Sequence, residues 1–249
     1  MKSNKYQPRF YREWVKPCGL VSAKIIDKES DLSIYTDKKV NKDFVAGLLK
    51  RYRCQIEDYI VEDKDFLTTL VPLNVDRGAP SIVRRMSEAS RLAKVGPMAS
   101  VAGAISQFIG EDLIKAGFKE VIIENGGDIF INTSTKREIA VFAGDSKLSG
   151  KIILQVNPED SPMGVCTSSG TVGHSLSFGN ADAAVIMACD AILADAVATA
   201  TCNQVKKKED INLAIEFAKN IKGVDGVAIV FDETLAIFGK FILSSGNKA

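Results

Sequence analysis

From Ala194 to Thr201 the chain reads ADAVATAT, eight residues with no side chain larger than valine or aspartate. The run Asp182 to Ala188 just before it is apolar and reads as a buried strand, so a buried helix is expected at about 190–202. A buried helix without large side chains cannot fill the space around it. Its neighbours must approach closely and need small residues of their own. Three other segments meet that requirement: GPMASVAG (96–103), ENGGD (124–128) and CTSSGTVGHSLSFG (166–179). The fold must therefore let several thin backbone segments close around one helix.

The rest of the chain offers ordinary elements. Gly19–Ile26 and Asp31–Tyr35 alternate as strands, and Val45, Leu48, Leu49, Tyr52, Ile56, Tyr59 and Ile60 mark one stripe of a helix over about 39–62. Pro80 opens a second helix that runs to about Lys94, and Pro97 a third that stops at Gly117. Strands are expected at 119–125, 129–133, 138–143 and 151–156, with a turn at GGD (126–128). A helix follows at about 209–221, then VAIVF (227–231) and TLAIFGKFIL (234–243) as a closing hairpin. Strands and helices do not alternate strictly, so the class is α+β. The 249 residues suit a single domain over 1–249, or two tightly packed lobes.

Bulk properties exclude several classes. Net charge is +1, with 32 basic and 31 acidic residues, and gives no footprint for nucleic acid or a membrane surface. There is no apolar run of about 18 residues and no apolar core in MKSNKYQPRFYREW, which places the chain in the cytoplasm. Lys206 to Lys208 read as a solvated loop. The five cysteines (Cys18, Cys54, Cys166, Cys189, Cys202) are odd in number and scattered, which argues against a disulfide framework and a CxxC zinc site. His174 is the only histidine, so no multi-His metal site exists.

Asp195 and Thr199 stand four apart on one helix face. A carboxylate with a hydroxyl suits Mg²⁺, but the hydroxyl can equally bond back to its own helix. Spacing does not decide between these. Glycine-rich segments and a helix start at Pro97 can present amides to a phosphate or carboxylate, or simply permit tight packing. Neither GxxxxGK[ST] nor GxGxxG occurs. Cys54 lies opposite the apolar stripe of its helix, near Lys50, Arg51 and Arg53, which favour a thiolate, and near Glu57 and Asp58, which oppose it. Its face either carries a reactive thiol or packs on another lobe or a second subunit, so a homodimer is conceivable. Cys166, eight residues before His174, is a candidate Cys–His partner or a small buried strand residue. His174 is a candidate general base or phosphate ligand. Cys189 and Cys202 flank the small-residue helix and are expected in the core.

Taken in order, Gly103, Gly126-Gly127-Asp128, Ser169-Gly170, His174 and ADAVATA (194–200) resemble the motifs of the ApbE flavin transferases over roughly 96–202. The resemblance implies an ApbE-like mixed sheet with packed helices. It implies Mg²⁺ on Asp195, Thr199 and a carbonyl near Val101, and FAD or FMN against Gly126, Gly127, Asp128, Ser169 and Gly170. Gly96 and Ala102 stand where the transferases carry Asp and Lys, and HSLSFG (174–179) replaces their Asp-Pro continuation. YREWV (11–15), IEDYI (56–60), VGPMASVAG (95–103), ENGGDIFI (124–131) and SSGTVGHSLSFG (168–179) look more like a sister family found in anaerobes and methanogens. For that family a link to sulfur assimilation into cysteine and homocysteine has been suggested. Three functions are therefore expected to compete. The first is sulfur handling, with a persulfide on Cys54, an anionic or phosphorylated ligand in the pocket, and a sulfur-donor or acceptor protein as partner. The second is Mg²⁺-dependent FMN transfer. The third is a non-catalytic flavin- or nucleotide-binding module.

Overall fold

The computed structural model describes residues 19–144, 146–171, 178–239 and 241–243. Eight strands form one sheet: β1 (Val21–Asp27), β2 (Ser30–Thr36), β3 (Val121–Asn125), β4 (Asp128–Asn132), β7 (Met163–Ser168), β8 (Ala183–Ala188), β9 (Val224–Phe231) and β10 (Thr234–Phe238), side by side in that order. The remaining strands, β5 (Arg137–Ala140), β6 (Ile152–Val156) and β11 (Phe241–Leu243), form a second sheet in the order β11-β6-β5. The α+β class holds. Every pairing among the described residues is antiparallel, where a mixed sheet was expected.

Period-two alternation gives the large sheet two apolar faces. Ile123, Phe130, Cys166, Ile186 and Ile229 face the helices. Their neighbours Ile122, Ile131, Val165, Val185 and Val230 join the core shared with the small sheet. The central strands are thus covered on both sides, which is why AAVIMA of β8 is buried at every position.

On the helical face lie α1 (Lys42–Glu62), α2 (Asp65–Thr68), α3 (Ser81–Ala93), α4 (Val101–Lys115), α5 (Ala191–Gln204) and α6 (Ile211–Lys219). The small-residue helix is α5, and every residue from Ala191 to Cys202 is buried. Its first turn is clamped between α4 and β7. A Cβ on Gly103 would stand 2.2 Å from the Ala191 carbonyl oxygen, and one on Gly164 would stand 2.3 Å from the Ala191 Cα. Thin side chains on three elements are the condition for this contact. Polar capping fixes the same turn: the Asp190 carboxylate accepts from the Leu193 N–H at 2.7 Å, and Gln107 Oε1 accepts from the Ala191 N–H at 2.8 Å.

Three local expectations change. The helix expected from Pro97 to Gly117 is broken into a 3₁₀ turn, Pro97–Ser100, followed by α4, because Ser100 leaves the helical conformation and its hydroxyl bonds back to the Pro97 carbonyl. TLAIFGKFIL is not one strand. Gly239, at φ 92°, packs where a Cβ would meet the Asp225 carbonyl at 2.4 Å, and the chain leaves the large sheet there to enter the small one as β11. The start of CTSSGTVGHSLSFG belongs to strand β7, in keeping with the reading of Cys166 as a small buried strand residue. Cys189, expected in the core, is exposed at the turn from β8 into α5, whereas Cys202 is buried.

Candidate functional site

A cavity of about 1700 Å³ opens where the β3–β4 turn, the end of β7, the 3₁₀ turn and α5 converge. The turn is a two-residue hairpin loop, Gly126-Gly127, with φ of 71° and 106°, and needs left-handed backbone at both positions. Glu124 steadies it by accepting the Gly127 N–H at 2.8 Å. The turn delivers Asp128 to the first position of β4, directly across from Cys166 on β7.

Asp195 reaches the cavity from α5. Its Oδ2 accepts the Gly103 N–H at 2.8 Å, and the Ala102 N–H adds a second bond. Burial pushes this carboxyl up to about 7 although both amides hold it down. One helical turn later Thr199 presents its hydroxyl 3.5 Å from the Ala99 carbonyl oxygen, on the 3₁₀ turn. Asp195, Thr199 and Ala99 all line the cavity, an all-oxygen set of the kind that holds a hard divalent cation. Val101 also lines the cavity, but the carbonyl facing Thr199 is that of Ala99, two residues earlier.

Asp128 is 8% exposed, and its Oδ1 has no hydrogen-bond partner. Burial raises its carboxyl well above the ordinary range, and the Asp195 charge raises it further. The Ser168 hydroxyl, 4% exposed on β7, is likewise unpartnered and lines the same cavity. Sequence reading missed Ser168. The only signal available was its two-residue spacing from Cys166, which puts both on the face that carries Asp128.

The other expected site residues fall as follows. Gly126, Gly127 and Ser169 line the cavity; Gly170 does not, being packed against Gly179, where a Cβ would stand 2.0 Å from the carbonyl oxygen. His174 lies outside the described residues. Cys166 is fully buried, its thiol 3.4 Å from the Ala191 carbonyl. Burial, then Asp128, then Asp195 push that thiol well above its usual range, which keeps it protonated. Cys54 is half-buried on α1 and is absent from the cavity wall, although its neighbours Arg53 and Glu57 belong to it. The nearby arginines are already engaged: Arg51 with Asp112, Arg53 with Glu29 and Glu57.

Position 96 also has a structural explanation. A Cβ on Gly96 would stand 1.9 Å from the Thr69 carbonyl oxygen. The segment after α2 occupies the space that a larger residue would need. Thr68, Thr69 and Leu70 form part of the cavity wall there.

Comparison with known proteins agrees with this architecture. The sequence model of the family described as AbpE bacteria matches residues 12–225. A UPF0280 protein of Methanococcus aeolicus is 42% identical over 220 residues, 87% of this chain and 88% of that one. Another from Methanocaldococcus jannaschii is 40% identical over 222 residues, 87% and 90% of the two chains. Among solved structures, the flavin transferase ApbE from Vibrio cholerae (H257G mutant) superposes with a TM-score of 0.59 at 12% identity, covering 89% of this chain and 97% of that one. The ApbE protein from Thermotoga maritima gives 0.57 at 14% identity, covering 91% and 97%. At these identities the solved structures establish the fold alone. No single helix among the described residues is long and apolar enough to cross a membrane. On the extent of the family match and the identity to its relatives, the chain belongs to the AbpE bacteria family and to the UPF0280 proteins.

Proposed function

We propose that the protein binds a flavin nucleotide together with a divalent cation, and that flavin transfer is the reaction class its pocket is built for. The observation that carries this reading is the oxygen cluster of Asp195, Thr199 and the Ala99 carbonyl at one part of a largely apolar cavity. A cavity of about 1700 Å³ exceeds the roughly 300–1,000 Å³ of ordinary small-molecule sites and has room for a dinucleotide. The ApbE-like fold supports the same ligand class.

When bound, a divalent cation would screen the phosphates and draw charge from the bond being broken. The chain's own residues divide the remaining work. Asp195 is held in one orientation by two backbone amides. Thr199 adds a neutral oxygen from the same helix face. The Gly126-Gly127 turn has no side chains to bar a ligand from the backbone, and apolar residues such as Met98 and Phe178 supply surface for a ring system.

Sulfur handling is a different proposal and needs a different site. Cys54 stands outside the cavity wall and Cys166 is a buried protonated thiol, so neither brings a thiolate to the ligand pocket. Calorimetry with FAD, with and without Mg²⁺, tests the preferred reading. Micromolar binding that requires Mg²⁺ and is lost in Asp195→Asn is expected, and covalent FMN on an acceptor protein would establish transfer. FAD binding absent under all metal conditions refutes it.

A further inference from the structure

Four buried side-chain atoms among the described residues have no hydrogen-bond partner: Arg53 Nε, Asp128 Oδ1, Ser168 Oγ and Thr201 Oγ1. Arg53 is compensated by its carboxylates, with Asp27 Oδ2 3.6 Å from that nitrogen. Thr201 is away from the cavity wall. Asp128 and Ser168 remain, on adjacent strands, on the same face, and both in the wall of one cavity. A buried polar group without a partner costs free energy, and a carboxylate costs the most. Two such groups side by side mark a wall turned toward something that supplies their missing partner.

The neighbourhood shows what that partner must be. Asp128 belongs to the cavity wall, and its Oδ1 is buried there without a hydrogen-bond partner. Asp195 comes to the wall of the same cavity from α5. A hydrogen-bond donor on a ligand would satisfy Oδ1 but leave the two carboxylates opposed. A cation answers both demands at once.

We propose that Asp128 is a second carboxylate ligand of the divalent cation held by Asp195 and Thr199, so that the ion is gripped between the sheet wall and the helix wall. This rests on the reading that the cavity takes such a cation. It goes beyond the helix pair by adding a ligand from β4, and it explains why the glycine turn sets an acidic residue as the first residue of that strand.

Manganese binding to the full chain, followed by electron paramagnetic resonance, tests it. The wild type is expected to bind one Mn²⁺. Asp195→Asn and Asp128→Asn are each expected to weaken binding by about tenfold or more. The metal-free Asp128→Asn protein should melt at or above the wild-type temperature, because a neutral amide removes one of two opposed buried acids, while its thermal shift on adding Mg²⁺ disappears. Asp128→Cys gives a readout that a purely structural role would not produce. A thiolate ligand moves preference from Mn²⁺ toward Cd²⁺ and brings a sulfur-to-cadmium absorption band over and above that which Cd²⁺ gives with the cysteines of the wild-type protein. If Asp128→Asn binds Mn²⁺ as tightly as wild type, or Asp128→Cys shows no such band, the inference fails even when Asp195→Asn has lost the ion and the cation reading stands. If the wild type binds no Mn²⁺ at millimolar concentration, both fail together.

Discussion

The clamp on the first turn of α5 yields a prediction whose sign decides the matter. Gly103 and Gly47 both lie in helices, α4 and α1. Taken by propensity alone, replacing either with alanine stabilises the protein by up to about 1 kcal/mol. A Cβ at Gly47 meets nothing within 4 Å. At Gly103 it would stand 2.2 Å from the Ala191 carbonyl oxygen and 2.8 Å from the Asp195 Cβ. Ordinary contact needs about 3.5 Å, so α4 and α5 must separate by roughly 1 Å. Ala191 is pinned from the other side by Gly164 of β7, and that separation has nowhere to go. Overpacking of this kind costs about 1–3 kcal/mol and occasionally more. The expected net effect of Gly103→Ala is a loss of about 2 kcal/mol, which lowers Tm by about 4–8 °C in a chain of this size. Gly47→Ala should raise Tm by about 2–4 °C. Thermal melts and urea titrations with matched slopes measure both. Equal stabilisation by the two variants would refute the claim that the small residues exist to let the helices close. Gly103→Ala should also weaken FAD–Mg²⁺ binding, since the Gly103 N–H orients Asp195.

Three further outcomes follow from named groups. Burial alone would raise the Glu120 carboxyl, but Ser134, Arg137 and Thr133 hold it down at about 2, against an ordinary 4.5. That difference is worth about 3 kcal/mol, present in full above about pH 5 and lost as pH falls toward 2. The stability gap between wild type and Glu120→Gln, followed by denaturant titration, should therefore shrink steadily from pH 5 to pH 2; a constant gap contradicts the assignment. Alkylation of the native protein with iodoacetamide, read by peptide mass, should modify Cys189 and reach Cys54 more slowly while sparing Cys166 and Cys202, and rapid labelling of Cys166 would overturn its description as a buried thiol. Gly96→Asp should not build a transferase-like carboxylate into the pocket. It should expel the Thr69 backbone and make residues 65–72 newly sensitive to limited proteolysis, and unchanged resistance to protease would count against the packing at position 96.

How far the sequence could be read depended on whether the deciding neighbours were local. Asp195 and Thr199 stood out because four-residue spacing on a helix stripped of large side chains is visible in the chain itself, and the helix is where that pattern put it. The core stripe of α1 was legible for the same reason: Val45, Leu48, Leu49, Tyr52, Ile56 and Tyr59 are buried as their spacing requires. Strand β7 is weakly marked because MGVCTS has only one β-branched apolar residue and runs into a Ser-Gly segment. It is a strand because β4 and β8 pair with it on both sides. Cys54 shows the limit most clearly. The helical wheel turned it away from its own core, yet no wheel could show that Arg51 is committed to Asp112 on α4 and Arg53 to Glu29 in the β1–β2 turn. Asp128 presents the reverse case. Its identity was plain from the GGD turn, but its importance lies in an oxygen left without a partner, and whether a partner is missing depends on the register of β4 against β7 and the approach of α5. A sequence names the groups able to do chemistry; which of them is left free to meet a ligand is decided by what every other group has already bound.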